Sequence, residues 1–114
     1  MMRLNEELIK KIEEHDFSIY EYDDGYYFGK YSCEGQDFGF HIDKKDTLED
    51  YASEILDYYN DYDPSEEASL WLDETGHGKN GAPYAMIDVY NDMVECKSFI
   101  YELYEVIMEE INYD

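Results

Sequence analysis

Eleven carboxylates stand between Asp46 and Gly78 (Asp46, Glu49, Asp50, Glu54, Asp57, Asp61, Asp63, Glu66, Glu67, Asp73 and Glu74), and no Lys or Arg interrupts them. Oxygen anions at this density offer three kinds of chemistry: holding a hard cation, working as an acid–base pair, or meeting a cationic surface. A calcium loop starting at Asp61 would place Asp63 and Ser65 at its third and fifth positions. It would also put Glu66 where a glycine must turn and Leu72 where a bidentate glutamate belongs. Glycosidase-like carboxylate pairs need a pocket that separates their pKa values, and nothing in the pattern selects two of the thirty acids. Meeting a cationic surface requires neither feature, and the pattern favours it.

The remaining chemistry-bearing residues are read as ordinary structure. His15, His41 and His77 form no HExxH pattern: His15 ends a helix, His41 sits in a strand and His77 lies in a loop. Cys33 and Cys96 lack metal-type spacing and are read as reduced thiols. The segment GHGKNG (76–81) could cradle an anion with glycine amides and Lys79, but it lacks the GxxxxGK[ST] spacing and follows no predicted strand. A turn between helices accounts for it better. The expectation is a protein without enzymatic activity, with no catalytic, metal or cofactor site.

Charge then limits the partner. The 114 residues hold 30 Asp and Glu against 8 Lys and Arg, a formal net charge of −22. Phosphate contacts need Lys and Arg, so direct nucleic-acid binding is disfavoured, and an anionic membrane surface would repel the chain. A basic protein remains as the attractive target. Low hydropathy with high charge points toward disorder, but an aromatic content of 18% and an apolar content of 44% supply material for a core. We expect one acidic α+β domain over residues 1–114. With no signal peptide or long apolar run, a cytoplasmic location is expected.

The elements follow from periodicity. Leu4, Leu8, Ile9 and Ile12 predict a helix over 4–14 with Asn5 as a cap. From Phe17 the period becomes strand-like, predicting three antiparallel strands near 17–22, 26–32 and 37–42 joined by turns at Gly25 and EGQD (34–37). About half of Tyr20, Tyr22, Tyr26, Tyr27 and Tyr31 are expected to pack inward. Thr47 and Asp50 outline a capping box for a helix over 48–60 that turns Leu48, Ala52, Ile55, Leu56 and Tyr59 toward the sheet. Its outer face would show Glu49, Asp50, Glu54, Asp57, Tyr58 and Asp61. A short helix capped by Ser65 follows, with Leu70, Trp71 and Leu72 as its apolar content. After a mobile Gly-rich loop at 75–83, Pro83 opens a long C-terminal helix. Met86, Val89, Met93, Cys96, Ile100, Leu103, Ile107 and Ile111 form its stripe, and Asn91 marks a break. This helix should cover the sheet.

On the acidic helix Asp50, Glu54, Asp57 and Asp61 step by four, three and four, so they form a rising anionic row with neighbours about 5–6 Å apart at Cβ. DNA phosphates repeat on a comparable scale, and a groove lined by Lys and Arg distinguishes the two poorly by field alone. Tyr58 and Tyr62 fall among these acids, where rings can pack against guanidinium groups. The partner-binding residues are therefore read as Asp50, Glu54, Asp57, Tyr58, Asp61, Tyr62, Asp63, Glu66 and Glu67. The plainer reading is a solvated acidic face on a soluble or salt-adapted protein. Against it stands the absence of Lys and Arg from 46–78, since i,i+4 ion pairs would otherwise support such a helix.

The order LNEELIKKIEEHDF, SIYEYDDGYYFGKYSCEGQDFGFHI, LEDYASEILDYYNDYD resembles the organisation of small phage-encoded anti-CRISPR proteins that block type II RNA-guided nucleases. More loosely, it is similar to anti-restriction DNA mimics of mobile elements. The resemblance spans about residues 4–63 and is one of element order and acidity; the long helix after Pro83 departs from the compact members of that group. It implies an inhibitor that occupies the positively charged site where a nuclease reads a short duplex motif through arginines, excluding DNA without chemistry. The alternative is an acidic module for a basic protein unrelated to nucleic acid. A monomer is expected, with a homodimer through Phe99, Tyr104, Val106 and Met108 as the other possibility.

Overall fold

The structure, a computed structural model, describes residues 2–32, 37–75 and 86–112, with backbone alone for 71–75 and 86–88. Cys33, Glu34, Gly35 and Gln36, the GHGKNG segment with His77 and Lys79, and Pro83 lie outside the described residues. The element order is α1 (Glu6–Glu14), β1 (Ser18–Glu21), β2 (Gly25–Tyr31), β3 (Asp37–Asp43), α2 (Leu48–Asp61), α3 (Pro64–Thr75) and α4 (Met86–Asn112). This is the α+β arrangement that the sequence predicts, with helices on one face of an antiparallel sheet.

Asn5 opens α1 by accepting the Leu8 N–H on its side-chain oxygen at 2.8 Å. The predicted start at residue 4 is therefore too early. Leu4 precedes the cap, is buried, and donates its N–H to the Tyr26 hydroxyl at 2.9 Å. His15 caps the other end, and Asp16 adopts a left-handed φ of 68° to turn the chain into β1.

The sheet has the order β1-β2-β3, with Tyr20 opposite Tyr27 and Tyr27 opposite His41. Alternation turns Tyr26, Phe28, Phe38, Phe40 and Ile42 into the core, where the Phe28 and Phe40 rings lie 5.8 Å apart. Fewer of the strand tyrosines point inward than expected. Only Tyr26 is in the core and Tyr27 is half-buried, because the register puts Tyr20, Tyr27 and Tyr31 on the opposite face.

Thr47 caps α2 as predicted, accepting the Asp50 N–H at 3.1 Å. The helix buries two stripes. Ala52, with the half-buried Leu56 and Tyr59, forms one, and the Tyr59 ring meets Tyr101 of α4 at 5.1 Å. Tyr51, Ile55, Tyr58 and Tyr62 form the other, with Tyr51 edge-on to Tyr26 and Tyr58 stacked on Phe40 at 5.0 Å.

At α3, Asp63 rather than Ser65 supplies the cap: its carboxylate accepts the Ser65 N–H at 2.9 Å, and Pro64 takes the first helical position. Proline has no N–H to lose there, so the helix begins one residue before the expected cap. α4 is continuous through Asn91, whose exposed side chain sits in water instead of interrupting the helix. Val89, Met93, Cys96, Ile100, Leu103 and Ile107 are buried as predicted. Phe99 and Val106 are buried too, because α1, α2, α3 and the sheet all approach this helix; Tyr104 and Met108 are half-buried. Phe99 reaches the sheet, its ring 6.4 Å from Phe38.

Cations tie these elements together. The Lys30 side chain is 15% exposed, and its amine lies over Phe17 at 5.0 Å and Phe99 at 4.8 Å and donates to Glu102 of α4 at 2.8 Å. Burial alone would raise Glu102, but the bonds from Lys30 and His15 outweigh it and hold this carboxyl below its usual range. Lys11 reaches Glu110 at 2.9 Å. Glu21 takes Arg3 at 2.7 Å and Lys44 at 2.9 Å, and these hydrogen bonds, Arg3 first, hold it at about 2 against an ordinary 4.5.

A carboxylate with a depressed pKa stabilises the fold above its unfolded value and loses that contribution as the acid form fills. The stability advantage of the wild type over Glu21→Gln should therefore be complete above about pH 4.5 and shrink as pH falls, vanishing below about 2. Denaturant titrations of both proteins across that range measure it; a difference that does not change between pH 6 and 2 would contradict the Arg3–Glu21–Lys44 bridge.

Candidate protein-interaction surface

Helix α2 is the platform. Its 14 residues span about 21 Å, and the stripes facing the sheet and α4 leave a third side to water. On that side Asp50, Asp57 and Asp61 are exposed, and beyond the helix Asp63 and Glu66 continue the exposed acids into α3. The predicted row is thus present at both of its ends. Asp57 and Asp61 lie in the last two turns of a helix that has no basic residue there, where the dipole favours cations. Their placement does not serve helix stability.

Besides Asp63, whose carboxylate caps α3, two acids of the predicted set are partly occupied or half-buried. Glu54 is half-buried, pairs with Lys45 and accepts the Asp43 N–H at 3.2 Å, so it fastens α2 to the end of β3. The bond to Glu54 raises the Lys45 pKa, so this amine stays charged and held at the helix. Nothing in the 46–78 run announces this, because the cation sits one residue before the run begins. Glu67 is half-buried beside the two tyrosines and pushes their ionisation further up.

The exposure expected of Tyr58 and Tyr62 is corrected. Tyr62 is 8% exposed, with its ring edge-on to Phe38 at 5.8 Å and its hydroxyl donating to the Met93 sulfur at 3.4 Å. Burial drives its pKa well above the ordinary tyrosine value. Tyr58 is half-buried on Phe40, and burial raises it as well. Both rings support the acidic side from beneath. The outward surface here is therefore carboxylate on an aromatic bed.

Asp61 ends α2 and Leu72 lies inside α3, so the run considered as a calcium loop is two helices joined at Tyr62 and Asp63. Cys96 is buried, and burial followed by Asp92 and Glu95 pushes its thiol up to about 12, which leaves almost no thiolate at neutral pH. A cleft of about 590 Å³ on α4 is lined by Tyr101, Tyr104, Glu105, Met108, Glu109 and Asn112, and none of the groups with shifted ionisation described above lines it. Among the described residues no helix is long and apolar enough to cross a membrane.

Asp57→Lys and Asp61→Lys should leave stability within about 0.5 kcal/mol of the wild type or raise it, since each removes like-charge repulsion from exposed positions. Tyr62→Ala should cost about 3–5 kcal/mol by emptying a core site. Chemical denaturation distinguishes the two classes, and a neutral Tyr62→Ala would return that ring to the surface.

Compared with known proteins, the chain matches no family model, no curated protein and no solved structure.

Proposed function

We propose that the protein is an inhibitor that occupies the positively charged nucleic-acid-binding site of a host defence nuclease, RNA-guided or restriction, and keeps DNA out by mimicking its charge. The observation that carries this reading is the outward acidic side of α2 and the start of α3, where Asp50, Asp57, Asp61, Asp63 and Glu66 are exposed on a helix anchored beneath by Tyr51, Ile55, Tyr58 and Tyr62. Rigid support matters because a mimic gains affinity when its charges are already in place. Glu54 and Glu67 contribute to the field from half-buried positions, while Tyr58 and Tyr62 act through support. The inhibitor works by exclusion within the cell that holds the nuclease, without a cofactor and without a catalytic residue.

Competition tests the reading. Against labelled duplex DNA bound to a panel of RNA-guided and restriction nucleases, the protein should displace the duplex from at least one member, with the effect falling steeply between about 50 and 200 mM salt. The variant Asp50→Lys, Asp57→Lys, Asp61→Lys, Glu66→Lys should remain folded and lose displacement by 10-fold or more, since each reversed acid removes roughly one phosphate-like anchor for the nuclease's cations. Binding of protein and DNA together in a ternary complex would overturn mimicry and favour an acidic module for a basic partner.

A further inference from the structure

The sheet has a second side that the helices leave uncovered. Outward positions of the three strands carry Tyr20, Tyr27 and His41 in one row across the register, with Tyr22 at the turn 6.5 Å from His41 and Tyr20 6.4 Å from Tyr27. The next row is Ser18, Gly29 and Gly39, without a large side chain. The Tyr27 ring lies across Gly39, where any Cβ would collide with its hydroxyl, and it also reaches the buried Gly29, where a built Cβ would meet its edge at 3.6 Å and the Phe38 carbonyl at 3.7 Å. Tyr31 closes the far end. The result is a band of rings across the sheet, with Tyr27 in the middle laid over the glycine row.

These rings are wet. Tyr20 is 57% exposed, Tyr22 54% and Tyr31 68%, although an antiparallel sheet facing only water normally carries polar side chains there. Acids form the rim: Asp24 and Asp43 lie 3.4 and 3.5 Å from the two His41 nitrogens, and Asp37 is exposed opposite Tyr31. Among the described residues, no outward strand position holds a Lys or Arg. Lys30 turns inward to Glu102, and Lys44 turns to Glu21 over the Tyr26 ring.

Charge selects the occupant. A second copy would bring another net −22 onto this face, and nucleic acid or an anionic membrane would be repelled as well. Flat rings beside carboxylates suit a planar cation that stacks through its face and donates through its edge, which describes guanidinium better than ammonium. We infer that the outer sheet face is a second docking surface, for an arginine-bearing segment of a partner protein. It is independent of the nuclease reading, since it lies on the side of the sheet away from the helices and requires only arginine.

The test uses two nine-residue peptides, one alternating Arg with Gly and one alternating Lys with Gly, titrated into the labelled full chain by NMR at about 150 mM salt. The Arg peptide should bind about 3- to 10-fold more tightly, with shifts at Tyr20, Gly29 and Tyr31. In the double variant Tyr20→Ala, Tyr31→Ala the preference should fall below about 2-fold while the weak binding shared by both peptides remains. Tyr20→Leu, Tyr31→Leu keeps the bulk without the rings and should behave alike, which covers a fold defect in the alanine protein. Reversing the α2 acids should weaken both peptides equally and leave the preference intact, so failure of the nuclease reading is separable. Equal affinity for the two peptides, a preference that survives both tyrosine variants, or shifts confined to α2 and α3 would overturn the inference. Self-association lost in Tyr20→Ala, Tyr31→Ala would also overturn it and give the face to a second copy.

Discussion

The contact of Lys30 with Glu102 between the rings of Phe17 and Phe99 is the interaction on which the rest of this fold depends. It joins β2 to α4 and takes in the residue that leads from α1 into β1. A half-buried amine without its partner would be costly, so the three elements are favoured in place together. The same pattern repeats more weakly at Lys11 with Glu110, Arg3 and Lys44 with Glu21, and Lys45 with Glu54. Five of the 8 cations are held in these stitches, and with 30 anions in the chain at least 22 carboxylates are left without a cation of their own. Cohesion and surface charge are thus set by the same few residues.

Tyrosine divides along the same line. Tyr26 and Tyr51 are buried with their hydroxyls bonded to the backbone of Leu4 and Met2, and Tyr62 is buried on Met93. Such rings bring large apolar area to the core while their oxygens stay satisfied. Tyr20, Tyr22 and Tyr31 are set on the uncovered side of the sheet beside acids. One residue type therefore builds the interior and a candidate contact surface, and position decides which: strand parity in the sheet, and for Tyr51 and Tyr62 the inward side of α2 and its C-cap.

Element order, the three strands, the Asn5 and Thr47 caps and the α4 stripe were all legible in the sequence, because each rests on local periodicity or a side chain bonding its own backbone. The inward turn of Tyr58 and Tyr62 was not. Tyr51, Ile55, Tyr58 and Tyr62 are spaced as regularly as Leu48, Ala52, Ile55, Leu56 and Tyr59, and a helix covered from two directions buries both sets. Periodicity alone selects one. The hold of Lys45 on Glu54 was hidden for a different reason, as it depends on how β3 ends against α2. Exposed acids such as Asp50, Asp57 and Asp61 were readable since no side chain among the described residues claims them.

The stitches also join distant parts of the chain: Lys11 to Glu110 across 99 positions, His15 to Glu102 across 87, and Lys30 to Glu102 across 72. The first helix is completed by the last. Folding is slowed when loops of that length must close before contacts reward them. During synthesis, at roughly 5–20 residues per second, the sheet waits several seconds for α4. In that interval the part of its aromatic inner face that α4 covers, around Phe38, is open, and the growing chain's own carboxylates, repelling neighbours of the same kind, oppose contact between nascent copies.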